Sequence, residues 1–444
     1  MRSGSYAVSA IVLAAAMAFS PAALADPAAI NAKFKTSVSR FIDGRIDEWV
    51  EIYKDFHAHP ELGMEEVRTA GILAKHMRDL GFEVTEGVGN TGVVAIYRNG
   101  PGPVVMVRAD MDALPMEEKT GLPYASKVVT DWRGAPTPVM HACGHDIHIT
   151  AWLGAAEALL SLRNQWSGTL MFVAQPAEEG LGGAKAMMDD RIFERFGLPT
   201  HAFALHVGPG PWDSVSMTRG TMNSSSGAFE IAFNGAGGHG SRPHTTIDPV
   251  MMAARFVVDV QGVISREKDP QQFGVVSVGA IQSGSAGNII PDTALVRGTI
   301  RWYDESVGDR LLAGVQRTAE AIVAMAAAPA ADINIRRGSK AVVNDDKLIE
   351  STYAAISKVM PGKVTYSGPG TASEDYGEFL RDFKSSVYFG IGGYDPALFA
   401  DGKAIDPSTT PSNHSPFFAP APEPTLRTGV TAMTTAVVNV MKRK

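Results

Sequence analysis

The chain of 444 residues has a single cysteine, Cys143. One thiol cannot close an internal disulfide, so stability has to come from the hydrophobic core. No basic tract stands out and the formal charge is −7, which argues against nucleic-acid or anionic-membrane partners. Past the N-terminus, no apolar run reaches the ~20 residues that a membrane helix requires. No internal repeat or low-complexity tract is visible. What is there is ordinary globular composition, 45% hydrophobic and 20% charged.

The N-terminus carries one charge, Arg2, then the apolar run Ala10 to Phe19 and the small-residue site Ala23-Leu24-Ala25. This pattern predicts a signal peptide, residues 1–25, and an exported protein, periplasmic or extracellular. Loss of Arg2 takes the formal charge from −7 to −8. A thiol kept in an oxidising compartment calls for a reason such as metal ligation. The mature chain exceeds one typical domain.

The predicted fold class is α/β: a mainly parallel mixed sheet flanked by helices, with an inserted ferredoxin-like α+β module. Helical periodicity covers Ala29 to Phe56, a loop is expected at His57 to Gly63, and a helix follows from Glu65 to Leu80. Strands are expected at Phe82–Thr85, Val93–Tyr97, Val104–Val107, Thr169–Ala174 and His201–Leu205, the last delivering His206. Strands alternating with helices, such as His148–Leu162, argue for a parallel sheet covered on both faces. From Arg219 the order becomes β-α-β-β-α-β. The expected division is therefore a catalytic domain at 26–218 and 336–444, with an inserted lid and dimerisation domain at 219–335.

Three of the chain's 11 histidines, His141, His145 and His148, cluster around Cys143. A glycine between Cys143 and His145 permits a tight bend, and thiolate with imidazole is a zinc-like ligand pair. By itself Cys-x-His reads more readily as a buried thiol beside surface histidines. Glu178-Glu179 follows a buried strand, and adjacent carboxylates repel unless a cation compensates. One could bind metal while the other faces the water that the metal acidifies. Cys143, His145, Glu179, His206 and His414 make five potential ligands, too many for one tetrahedral ion with an open position. They fit two ions sharing a bridging thiolate. Polar residues just past Val104–Val107, including Asp112, lie where α/β sheets keep their ligands.

These residues resemble the aminoacylase, hippurate hydrolase and glutamate carboxypeptidase family of dinuclear metallohydrolases. The resemblance is closest to the branch of indoleacetyl-amino-acid hydrolases and N-acyl-amino-acid carboxypeptidases. It is carried, in family order, by His57-x-His-Pro-Glu-Leu, Arg108-Ala-Asp-Met-Asp-Ala-Leu-Pro, Met140-His-Ala-Cys-Gly-His-Asp, Gln175-Pro-Ala-Glu-Glu-Gly, Gly237-Gly-His-Gly-Ser-Arg-Pro-His, Asn288-Ile-Ile-Pro-Asp and Asn413-His-Ser. The resemblance implies that Cys143 bridges two metals, that His145, Glu179, His206 and His414 complete the ligand set, and that Glu178 is the general base. It implies that Asp112 backs a ligand imidazole. His239 would reach a partner subunit's site to stabilise an oxyanion, and Asn288 and Arg301 would hold substrate, Arg301 as the fork for an α-carboxylate. His141 and His148 drop out as ligands. Gly240-Ser241 departs from the small residues usual there, and 397–410 with Phe417-Phe418 match no motif.

The implied function is hydrolysis of the amide bond of N-acyl or N-aroyl amino acids by a metal-bridging water that Glu178 deprotonates. The alternative with the same apparatus is a carboxypeptidase or dipeptidase for short peptides. Two divalent ions per subunit are expected, zinc first by ligand type, with manganese, cobalt or nickel compatible. The expected partners are a small acyl amino acid or peptide substrate and a second copy of the chain, a homodimer through the inserted domain. Two rivals stand against this. A thiol hydrolase using Cys143 and His145 suffers from poor geometry at two residues' separation. A non-catalytic binder predicts loss of a ligand or base, and none is missing.

Overall fold

A computed structural model describes residues 30–180 and 182–443. The expected signal peptide lies outside the described residues. The central sheet has eight strands in the spatial order Glu83–Val88, Gly92–Asn99, Gly168–Gln175, Val104–Asp110, His201–Pro211, Ser386–Tyr394, Val215–Met217, Val364–Tyr366. The four strands in the middle pair in parallel, as do the two at the far edge. The remaining pairings are antiparallel. This is the mainly parallel mixed sheet read from the alternating pattern. The central strands are apolar along most of their length, Gly168–Gln175 having seven of eight residues buried, because helices cover both faces.

One face carries the larger core, in which Trp49, Trp152, Phe172 and Leu426 meet. Helix His145–Ser161 crosses it and is buried on nearly every side, so it shows no single apolar stripe. Helix Pro422–Met441 packs against it. The opposite face is closed by Ala184, Met187, Phe193 and Phe379. Among the described residues, no helix is long and apolar enough to cross a membrane.

A second sheet has its own core around Phe229, Phe256, Val296 and Leu311. Its strands run Ser225–Asn234, Gly274–Ser283, Thr293–Trp302 and Asp332–Arg337, with helices Pro249–Asp259 and Glu305–Met325 between them. The chain order is β-α-β-β-α-β, every pairing is antiparallel, and the first strand lies between the third and the fourth.

Three local expectations need correction. The helical stretch at the start is two helices, Ala32–Asp43 and Ile46–Ala58, because Gly44 caps the first by donating to Arg40 O and Ile42 O. The second helix continues through Ala58, so His57 sits on a helix and is buried. His206 does not end its strand: pairing with Ser386–Tyr394 carries that strand on to Pro211.

Candidate metal centre and cavity

The site is assembled where the central parallel strands end. Val104–Asp110 leads into Asp112, Gly168–Gln175 into Glu178-Glu179, and His201–Pro211 carries His206. Between strand and helix, Gly144 takes φ +85°, a left-handed conformation that costs an L-residue strain. A Cβ there would also fall 2.4 Å from Val207 Cγ1. Glycine at 144 is thus required twice over, and it sets Cys143 and His145 on one side of the turn.

Cys143 Sγ lies 3.4 Å from His206 Nε2. His206 donates from Nδ1 to Val207 O at 2.7 Å, which fixes the tautomer and leaves the Nε2 lone pair facing the thiol. Burial draws His206 down to about 4, so the ring is neutral at ordinary pH. On the other side of the thiol, His414 Nε2 is 3.0 Å from Glu179 Oε1. The ligand atoms of Cys143, His145 and His206 lie within 4.8 Å of one another, and so do those of Cys143, Glu179 and His414. The structure therefore brings all five predicted ligand residues together as two triads that share one sulfur.

Asp112, 1% exposed, accepts from the backbone N–H groups of Glu178 (3.0 Å) and Glu179 (2.9 Å). Its Oδ1 is 3.2 Å from His145 Nδ1, off the line of a hydrogen bond. One carboxylate thus holds the acidic pair and stands behind the His145 ring. The loop bearing His414 is tied in by its neighbour: Asn413 Nδ2 donates to Cys143 O (2.8 Å) and Val207 O (3.0 Å). His414 N donates to Ala142 O at 2.8 Å. Two non-glycine residues here have positive φ, Ala177 at 48° and His414 at 67°, the kind of strain that collects at functional sites.

The donor set fits metal ions. Both ring nitrogens of His145 are buried without a hydrogen-bond partner, a cost a protein rarely leaves standing. Burial pushes the Cys143 thiol well above its ordinary range, with His145 opposing; a cation is what makes such a thiol give up its proton. His148 offers no such opening. It donates from Nδ1 to Asp110 Oδ1 (2.5 Å) and accepts from Val207 N at Nε2 (2.8 Å), so both nitrogens are committed.

Glu178 lies against a network that sequence reading missed. Its carboxylate comes within 4.8 Å of those of Glu374 and Asp375, and burial followed by these carboxylates and Glu179 pushes its pKa well above the usual range. Arg108 answers the charge from within the core. It is 2.6 Å from Asp110, 2.8 Å from Glu374 and 3.3 Å from Asp375, and donates to Gln175 at 2.8 Å. Tyr388 donates to Glu374 at 2.6 Å. Glu66 accepts from Ala177 N at 2.7 Å, and burial together with Asp112 raises it to about 7. Arg108 and Gln175 belonged to recognisable motifs, but nothing in Ser373-Glu374-Asp375 marked it as their partner.

The cluster opens into a cavity of about 1160 Å³ lined also by Arg301, Lys363, Tyr388 and Phe399. Phe399 and Gly402 come from the stretch that matched no motif. Phe418 packs beneath the turn near Gly144, while Phe417 is exposed. Lys363 is paired with Asp213 at 2.5 Å. Arg301 makes no ion pair among the described residues, donating to Thr299 Oγ1 and Ile300 O. His239 and Asn288 are not among the cavity's lining residues. Both are exposed, next to each other on a two-stranded ribbon in which His239 pairs with Ile289 and Gly240 N donates to Asn288 O at 2.8 Å.

A shared thiol between two triads of candidate ligands, with a partly buried carboxylate alongside, defines a metal-assisted hydrolase site. Comparison with known proteins agrees. A sequence profile of peptidase family M20/M25/M40 matches residues 106–434, and the chain belongs to that family, hydrolases acting on amide bonds. It is 37% identical over 350 residues to the hippurate hydrolase of Campylobacter jejuni, covering 77% of this chain and 87% of that one. It is 36% identical to thermostable carboxypeptidase 1 of Saccharolobus solfataricus, covering 78% and 86%. Among solved structures, the YXEP protein of Bacillus subtilis, described as a dinuclear metal binding peptidase, superposes with a TM-score of 0.70 at 26% identity, over 89% of this chain and 99% of that one.

Proposed function

We propose that the protein is a metal-dependent amidohydrolase that cleaves the amide bond of N-acyl or N-aroyl amino acids. The two ligand triads sharing Cys143 carry the reading. Two divalent ions, zinc first by donor type, would be held by Cys143, His145 and His206 and by Cys143, Glu179 and His414. When bound, they supply the Lewis acidity that polarises the scissile carbonyl and acidifies water. Glu178, its pKa raised, is poised to take the proton of the attacking water and return it to the departing amine. Asp112 holds the Glu178-Glu179 backbone in place. Arg301, the cavity's lysine or arginine without a carboxylate partner, supplies a fork for the substrate's α-carboxylate.

The second reading, a carboxypeptidase or dipeptidase, draws on the likeness to the carboxypeptidase of S. solfataricus. Assay of hippurate-like substrates beside dipeptides separates the two. Glu178→Gln is the test of the mechanism: metal content should persist while kcat falls at least ~100-fold, and unchanged turnover refutes the role.

A homodimer fits the exposed His239 and Asn288. The helix Pro249–Asp259 leaves Val250, Met251 and Val258 exposed at 43%, 59% and 70%, and the edge strand Gly274–Ser283 exposes Ile281. A second copy seated there would let the partner's His239 enter the cavity and meet the developing oxyanion. Mixing inactive Glu178→Gln and His239→Ala proteins should then restore activity through hybrid dimers. Export is inferred from residues 1–25, and a mature N-terminus at Asp26 would establish it.

A further inference from the structure

His57 belongs to no ligand triad, yet its surroundings are built as carefully as theirs. The ring is 1% exposed. Nδ1 lies 2.7 Å from Asp146 Oδ2 and Nε2 lies 3.0 Å from Glu118 Oε1. A carboxylate at each nitrogen requires a proton on both. Burial opposes that charge, but the two acids overcome it and raise His57 to about 9. The Tyr53 hydroxyl is 3.3 Å from Nδ1, and the Tyr124 ring meets the imidazole edge-on at 5.3 Å.

Both carboxylates are anchored by further hydrogen bonds. Asp146 Oδ1 accepts from Ile147 N at 2.9 Å. Glu118 accepts from Ser126 N at 2.6 Å and from the Thr120 hydroxyl. Asp146 directly follows His145 on the first turn of its helix. Lys119, next to Glu118, donates its N–H to Pro416 O at 2.8 Å, two residues beyond His414. One imidazole therefore spans two backbone segments, each within two residues of a ligand or bonded to a segment that is.

We propose that His57 is a positioning residue which, by bridging Asp146 and Glu118, holds the Cys143–Asp146 turn and the His414 loop at the spacing the ligand cluster needs. The inference rests on the reading of Cys143, His145 and His414 as ligands. It assigns a purpose to the first histidine of His57-x-His-Pro-Glu-Leu: that histidine acts on the site through backbone geometry and touches neither metal nor substrate.

The test uses the full chain with Co(II) alone as probe. Asn at 57 reaches the Nδ1 position and Gln the Nε2 position, so His57→Asn and His57→Gln each keep one tether. Both should weaken Co(II) binding by about 10- to 100-fold and shift its visible absorption bands, with kcat falling and KM nearly unchanged. Glu118→Gln, which keeps the hydrogen bond and removes a charge, should move the same readouts less. Folded His57 variants with wild-type Co(II) affinity and spectrum would overturn the proposal. Should neither His57 variant fold, Glu118→Gln decides, and unchanged affinity and spectrum overturn it equally. Cys143→Ala separates the two layers. If it binds Co(II) as tightly as wild type, the ligand reading has failed and this inference with it. If it loses Co(II) while the His57 variants keep it, only the positioning role falls.

Discussion

Gly81 and Gly144 have nearly the same backbone, φ +87° and +85°, but opposite surroundings. A Cβ at Gly81 would meet nothing within 4 Å, whereas one at Gly144 would fall 2.4 Å from Val207 Cγ1 and 3.1 Å from Phe418 Cε1. Gly81→Ala therefore measures the left-handed strain alone, about 1–2 kcal/mol. Gly144→Ala adds an overlap with a side chain that has nowhere to retreat, since Val207 is fully buried. Overpacking of that kind costs a further ~1–3 kcal/mol, for a total of about 2–5 kcal/mol. Displacing Val207 also disturbs the carbonyl that orients His206 and takes the Asn413 bond. Urea unfolding of both variants beside wild type, with a Co(II) titration of each, gives the comparison. Gly81→Ala should leave Co(II) affinity alone, while Gly144→Ala should lower it about tenfold or more. Equal destabilisation by the two substitutions, with equal affinity, would refute the packing account of the turn.

Two further outcomes follow from the buried charges. His57 is raised from 6.5 to about 9, so its contribution to stability is complete below about pH 6.5 and is lost as pH rises through 9. At 1.36 kcal/mol per pKa unit this amounts to about 3 kcal/mol. The stability difference between wild type and His57→Asn, followed by urea unfolding without metal, should shrink by about that amount from pH 6.5 to 9.5, and a flat difference would refute the charge assignment. Arg108→Met strips the guanidinium from Asp110, Glu374 and Asp375 and should cost about 3–5 kcal/mol at pH 7 by the same assay. Glu374→Gln in that background should recover part of the loss, and no recovery would show that the arginine's packing matters more than its charge.

Much of this is legible in the amino-acid sequence. Periodicity marked the central strands that lead into Asp112, Glu178-Glu179 and His206, since buried parallel strands read as continuous apolar runs and end in polar residues, but not the short ribbon of His239 and Ile289. The ligand residue types were equally visible, because thiol, imidazole and paired carboxylate are rare enough to stand out. Element ends were less so. Pairing with Ser386–Tyr394 extends the His206 strand to Pro211, and no local preference announces a partner almost two hundred residues away. The same holds for Glu374 and Asp375, whose meaning depends on Arg108 and Glu178 arriving beside them from distant segments.

The larger lesson lies in how the histidines sort themselves. His145, His148 and His206 have ring centroids within 4.4 to 6.0 Å of one another, and composition cannot tell them apart. What separates them is which nitrogens are already occupied. His148 spends both, on Asp110 and on Val207 N. His206 spends one on its own strand's carbonyl and keeps the other for the thiol side. His145 is left with neither satisfied. His57, farther back, spends both on carboxylates and so carries charge where the proposed ligands need neutrality. What a buried imidazole can do, whether to bind metal, brace the fold or carry charge, depends on what its second nitrogen meets, and for His57 and His148 those partners come from distant segments.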